Sequence, residues 1–257
     1  MDRVQRLREL HRGPRLLVLP NAWDAVSAAL FEKAGARAIA TSSGAVAWAL
    51  GYADGEQAPP EEMLAAVSRI VRVVSVPVTA DLEAGYGDPV ATAEAAVAAG
   101  AAGLNLEDGA GDPAEQVERL RAVREAVADR LVLNARIDVF LRHAGRRWDR
   151  FDDAVARAGA YLAAGADCVF PIGVSDAELI RRLVEEIDGP VNILATSGSP
   201  TVAELERLGV RRVSVGSGIA QAALGTADRA ARELLEDGTL SFLEGRIPGD
   251  ELNRLLG

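Results

Sequence analysis

Apolar positions along this chain fall into two patterns that take turns. Ala-rich stretches with helical period end near Ala-Gly-Ala or Leu-Gly-Val, and a short apolar run follows each at once. Ala34-Gly35-Ala36 leads into Ala38-Ile39-Ala40, and Ala99-Gly100-Ala101 leads into Gly103-Leu104-Asn105-Leu106. Ala164-Gly165-Ala166 and Leu208-Gly209-Val210 do the same ahead of Cys168-Val169-Phe170-Pro171 and Val213-Ser214-Val215. Glycine at that position predicts a helix C-cap in the left-handed conformation, with a strand beginning within a few residues. Short helix-to-strand connections repeated in this way build a parallel sheet.

The pattern predicts eight strands, near 16–20, 37–41, 76–81, 103–107, 131–136, 168–172, 190–195 and 212–216. Helices are expected at 24–35, 60–74, 89–100, 113–128, 151–165, 175–187, 200–209 and 218–236, with one more short helix in the tail 241–257. Eight βα units in one unbroken run predict an α/β fold of the (β/α)8 TIM-type barrel class, as a single domain over 1–257. No Gly-x-Gly-x-x-Gly follows the first strand, which weakens a doubly wound dinucleotide-binding sheet.

Composition narrows the class. The chain has 257 residues, 49% apolar, with no apolar run long enough to span a bilayer. Met1–Arg6 lacks the apolar core of a signal peptide. The single cysteine, Cys168, excludes an intrachain disulfide and a cysteine-based metal cluster, and reads as a small core residue. A cytoplasmic protein is expected. Net charge is −10 without a basic stripe, so neither nucleic acid nor membrane is an expected partner.

In a barrel the chemistry sits on loops at the C-terminal ends of the strands. There the third strand ends in Asp81-Leu82-Glu83 and a Gly85-Tyr86-Gly87 turn. Asp81 and Glu83 are two residues apart and share a face, and paired carboxylates call for a cation, a shared proton or a base role. With Glu107 after the fourth strand and Asp54 in the loop after the second, they form a candidate Mg²⁺ site, in which a small hard ion uses few carboxylates and keeps its waters. Arg136 after the fifth strand is a candidate bidentate clamp for a substrate carboxylate or phosphonate. Ser42, Ser43 and Gly44 can offer hydroxyls and N–H groups to an oxyanion, and Asn192 on the seventh strand joins the substrate-binding set. Such a site stabilises an enolate beside a 2-oxo acid.

Plainer roles are expected elsewhere. Asp24, Asp88, Asp108 and Asp112 read as helix N-caps. Asp138 reads as a partner of Arg136 or Arg142, Asp54 taken alone as a turn former, and Trp23 and Trp48 as packing residues. His11 and His143 read as surface residues. A buried structural ion network is the plain alternative for Asp81, Glu83, Glu107 and Arg136. Ser197-Gly198-Ser199 and Gly216-Ser217-Gly218 would suit a phosphate-binding barrel enzyme.

The ordered set Thr41-Ser42-Ser43-Gly44, Leu50-Gly51-Tyr52-Ala53-Asp54, Asp81–Gly87, Asn105-Leu106-Glu107-Asp108 and Asn134–Asp138 resembles the isocitrate lyase/phosphoenolpyruvate mutase superfamily over nearly the whole chain. The resemblance implies a barrel whose eighth helix is exchanged with a neighbour, in a homodimer or homotetramer. It implies a Mg²⁺-dependent site, with Mn²⁺ as a substitute, that makes or breaks C–C or P–C bonds next to a 2-oxo acid. Asp81 resembles the principal metal carboxylate, Glu83 and Glu107 its water-mediated partners, and Asp54 the loop aspartate beside the reacting centre. Ser42, Ser43 and Gly44 resemble the loop that holds the substrate carboxylate, and Arg136 the arginine that neutralises it.

Two departures stand out. Glu83 replaces an aspartate, and Glu107 is followed by Asp108-Gly109-Ala110-Gly111-Asp112-Pro113, without the Lys, Cys or His of the isocitrate lyase lid. The reading is therefore a lyase or decarboxylase acting on a small 2-oxo or 2-hydroxy di-acid. A P–C hydrolase or mutase is the alternative, followed by a non-catalytic 2-oxo acid binder.

Overall fold

The computed structural model describes residues 2–141 and 147–257; Arg142 and His143 lie outside the described residues. It opens with a helix that the apolar pattern does not predict, α1 (Arg3–Arg12). The first expected strand is split at Pro20, which has no N–H to give, into β1 (Leu17–Leu19) and β2 (Asn21–Ala22). Then follow α2 (Ala25–Lys33), β3 (Ile39–Thr41), α3 (Ser43–Leu50), α4 (Pro60–Val73), β4 (Val78–Asp81), α5 (Pro89–Ala98) and β5 (Gly103–Glu107). The second half contains α6 (Pro113–Val127), β6 (Val132–Ile137), α7 (Phe151–Ala163), β7 (Cys168–Pro171), α8 (Ala177–Glu186), β8 (Asn192–Leu194), α9 (Val202–Arg207), β9 (Arg212–Ser214) and α10 (Gly218–Arg232).

The pairing is parallel throughout. One run is β2-β3-β4-β5-β6-β7, and the other is β1-β9-β8. The runs meet at Pro20 on one side. On the other, Val169 of β7 bridges Val191 and donates its N–H to the Pro190 carbonyl at 3.0 Å. The ring of strands therefore closes, and the strands carry apolar residues on both faces, as parallel sheets covered by helices do.

Local chemistry explains the element ends. Gly35, Gly100, Gly165 and Gly209 all take the positive φ expected of them. Asp24, Asp88 and Asp112 cap α2, α5 and α6 as expected, with proline opening α5 and α6. The tail differs from a single helix: a 3-10 turn at Ser241–Leu243 precedes α11 (Gly249–Leu256), which packs on α2 through a Lys33–Glu251 ion pair. Cys168 is buried, as expected.

Two of the side-chain roles expected outside the site also fail. His11 is buried, because α1 turns its Leu7 and His11 face onto the barrel floor. Asp108 is not an N-cap: its carboxylate is buried and takes four hydrogen bonds, from the N–H groups of Ala110 and Asp138, Arg157 Nη1 and the Tyr161 hydroxyl. Asp112 takes the cap position, four residues further on.

Candidate active site

The strand ends deliver most of the expected residues to one place. Asp81 ends β4, Glu107 ends β5 and Arg136 is the partner of Glu107 in the β5–β6 register. Asp81 accepts two bonds on Oδ2, from the Ser43 N–H at 3.3 Å and the Ser43 hydroxyl at 3.1 Å. Its Oδ1 is buried without a partner. A buried carboxylate oxygen left bare is costly, so this atom marks where a ligand belongs.

Ser43 and Gly44 sit not in a loop but in the first turn of α3. The sequence hides α3 because its residues are small and apolar on every side, with five of eight buried, so no amphipathic stripe appears. Ser42 is its N-cap, and its hydroxyl meets that of Ser217 at 2.8 Å. A Cβ on Gly44 would stand 2.9 Å from Asp54 Oδ2, so glycine lets the exposed Asp54 loop close over the helix start.

Backbone strain concentrates here. Glu56, Glu83 and Tyr86 are three of five described non-glycine residues with positive φ. Their bonds interlock: Glu56 N–H donates to Glu83 Oε2 at 2.7 Å, Tyr86 N–H to Glu56 Oε1 at 2.7 Å, and the Tyr86 hydroxyl to Glu83 Oε1 at 3.2 Å. Strain of this kind persists only where surrounding contacts over-determine it, and it clusters at functional sites. Sequence reasoning missed Glu56 and Tyr86. The aromatic ring between Gly85 and Gly87 was the available signal.

The electrostatics describe a site short of positive charge. Burial pushes the Glu83 carboxyl up to about 7, and repulsion from Asp54 and Asp81 adds to this. Burial also pushes Glu107 up to about 7, with Asp138, Asp81 and Glu83 repelling it and Arg136 opposing the rise. Arg136 joins Glu107 through Nη1 at 2.5 Å and forks onto Asp138 through Nε at 2.7 Å and Nη2 at 3.3 Å. A guanidinium has five N–H donors, so one remains on each Nη for a substrate.

Asn192 stands apart. It begins β8, below the strand ends that carry the acids, and donates to Ser214 Oγ at 3.4 Å. Among the described residues no three His, Cys, Asp or Glu side chains converge tightly enough to cage an ion. One bare oxygen on Asp81, with acids further out and only oxygen donors, fits a hard divalent ion that keeps most of its water.

The model of the phosphoenolpyruvate phosphomutase family matches residues 7–235. An uncharacterized protein of Mycobacterium tuberculosis is 35% identical over 231 residues, covering 87% of this chain and 86% of that protein. A crystal structure from Burkholderia cenocepacia J2315, described as a candidate phosphonomutase, is 40% identical with a TM-score of 0.85 over 90% of this chain and all of that one. A crystal structure of 2,3-dimethylmalate lyase is 26% identical with a TM-score of 0.87, over 100% of this chain and 95% of that one.

Proposed function

Since the chain belongs to the phosphoenolpyruvate mutase/isocitrate lyase superfamily, we propose that it is a Mg²⁺-dependent lyase or decarboxylase acting on a small 2-oxo or 2-hydroxy di-acid through an enolpyruvate-type intermediate. The observation that carries this reading is the bare, buried Asp81 Oδ1 among acids whose protonation burial favours. Superfamily members typically depend on Mg²⁺. Asp81 would hold the ion, with Glu83 and Glu107 carrying its waters, and Mn²⁺ would suit the same oxygen set. Bound there, the ion supplies stabilisation of negative charge developing on substrate oxygens.

The chain's own groups do the rest. In the first turn of α3, Ser43 holds Asp81 and Ser42 caps the helix, and the Gly44 N–H and the Ser42 hydroxyl would turn to a substrate carboxylate. Arg136 uses its two remaining N–H groups on the developing oxyanion, with Glu107 fixing its orientation. Asp54, on an exposed loop beside Gly44, would move a proton to or from the substrate.

The likeness to 2,3-dimethylmalate lyase supports C–C chemistry, and the phosphonomutase-like Burkholderia structure supports P–C cleavage as the alternative. The loop from Asp108 to Asp112 is too short to seal the site and carries no cysteine acid. That favours decarboxylation, hydrolysis or a simple retro-aldol cleavage over an isocitrate lyase reaction.

Assembly through an exchanged eighth helix belongs to the same reading. Only Ala220 is buried along α10, and beside β1 lies a 390 Å³ groove lined by Val18, Leu19, Phe31, Val215 and Ile219. A partner's α10 would fill it, giving a homodimer or homotetramer. Light scattering of the intact chain tests this, and a monomer at all concentrations would reject it.

The function is tested by assaying purified protein with Mg²⁺ on oxaloacetate, alkylmalates and phosphonopyruvate, with oxalate as an enolate mimic. Turnover of a di-acid supports the lyase reading, and turnover of phosphonopyruvate alone moves it to P–C cleavage. Oxalate binding without any turnover leaves a 2-oxo acid binder.

A further inference from the structure

We propose that the barrel interior beneath the candidate active site contains a hydrated chamber, a binding site for ordered water built around Arg212. Arg212 begins β9 and is fully buried. Its one hydrogen bond runs across the barrel, from Nη2 to Asn105 Oδ1 at 3.0 Å. Nε and Nη1 have no partner, and no carboxylate among the described residues pairs with this guanidinium. Asp81 is the acid whose charge reaches Arg212, without a hydrogen bond to it, and Asp167 is already held by Arg8 and Arg124. An ionised group left bare in a protein interior costs several kcal/mol, so these N–H groups require a ligand.

Four neutral groups around it are also buried without partners: Asn134 Oδ1, Asn192 Oδ1, Thr79 Oγ1 and His11 Nε2. The topology gathers them. Asn192 is the register partner of Arg212, and Asn134 donates through Nδ2 to the same Asn105 Oδ1 at 2.8 Å. Thr79 lies opposite Gly103, where a Cβ would stand 2.9 Å from its hydroxyl. His11 lies within the field of Arg212.

The partners fix which atoms can donate. Asn105 Oδ1 accepts from Arg212, so Asn134 must turn its NH2 to that oxygen and its own Oδ1 away. His11 Nδ1 lies 2.8 Å from the Leu7 carbonyl and so carries the proton, leaving Nε2 as an acceptor. Arg212 thus offers only donors, while Asn134 and His11 offer only acceptors, out of direct reach. The molecule that joins them must accept from one side and donate to the other, which water does. A halide would face the Asn134 and His11 lone pairs and gain only the arginine. A 300 Å³ pocket lined by Arg8, His11, Asp167 and Asp188 opens below and gives solvent a route to His11.

The test is a crystal structure of the whole chain that orders single waters, with a second crystal soaked in bromide. The expected result is at least one water joining Arg212 Nε or Nη1 to Asn134, Asn192 or His11, and no anomalous bromide peak there. An empty floor, or direct contact between these groups, overturns the chamber. A bromide peak replaces it with an anion site and equally overturns the proposal. In solution, water-oxygen relaxation dispersion should show long-lived internal water that Arg212→Met reduces. Unchanged dispersion in a folded Arg212→Met protein refutes the assignment. His11→Phe, which removes one acceptor from α1, provides the comparison should Arg212→Met not fold.

Discussion

Ser43 gives both its hydroxyl and its N–H to one oxygen of Asp81, at 3.1 and 3.3 Å, and leaves the other bare. The carboxylate is thereby oriented before any cation arrives. Asp81→Ala should abolish Mg²⁺ binding and activity while the protein stays folded. Ser43→Ala, which removes the hydroxyl but not the N–H, should weaken Mg²⁺ binding by roughly tenfold, for a loss of about 1.4 kcal/mol. Calorimetric titration with Mg²⁺ beside a thermal melt reads both, and tight Mg²⁺ binding by Asp81→Ala would remove the ion from this position.

Arg136 serves two purposes that substitution separates. It balances Glu107 and the fully buried Asp138, and it keeps N–H groups for a substrate. Arg136→Lys retains the charge but not the fork, so KM should rise and kcat fall with modest loss of stability. Arg136→Ala leaves buried acids uncompensated and should cost about 3–5 kcal/mol of folding stability. Steady-state kinetics and denaturant unfolding distinguish the two effects, and wild-type kinetics in Arg136→Lys would place the residue outside the site.

Asp108 is suited only to aspartate, because all four of its partners donate. Ala110 and Asp138 bring N–H groups to Oδ1, and Arg157 and Tyr161 bring theirs to Oδ2. An asparagine amide would turn its own N–H groups at one of these pairs. Asp108→Asn should therefore destabilise by about 3 kcal/mol, while Tyr161→Phe, which loses the bond to Asp108 and a longer one from Arg157, should cost about 1–2 kcal/mol. Urea unfolding measures both. A near-neutral Asp108→Asn would show that the loop after β5 does not depend on this anchor.

The fold was legible because its signals are local. The glycine after each Ala-rich helix and the Asp-Pro pairs at 88–89 and 112–113 act over a few residues, and each appears where the pattern put it. The acids and Arg136 were legible for the same reason: strand ends are fixed once the strands are. What escaped depends on packing across the barrel. α3 has no polar face to betray it, and α1 becomes a floor plug only because Leu7 and His11 meet strands far away in the chain. Asp108 looked like a cap because Asp before a helix usually is one, and only the distant Arg157 and Tyr161 override that.

His11 gives a prediction in which the sign matters. Burial, with the nearby Arg212 charge adding to it, lowers its imidazole to about 4, against the Leu7 carbonyl bond and the charge of Asp167, which oppose the shift. The unfolded chain takes up this proton near pH 6.5, while the folded one resists it until about 4. Stability from this group is thus complete above pH 6.5 and is lost as pH falls towards 4, amounting by order of magnitude to about 3 kcal/mol. Glu83 and Glu107 act oppositely: their raised values make the folded state hold protons that the unfolded chain releases, so their contribution falls as pH rises from 4.5 to 7. In the whole protein these opposite contributions partly cancel. The difference between wild type and His11→Phe isolates the histidine. Measured by urea unfolding from pH 4 to 7, the wild type should lose stability relative to the variant as pH falls. A pH-independent difference would show that His11 titrates normally and that α1 is not seated against the charged floor.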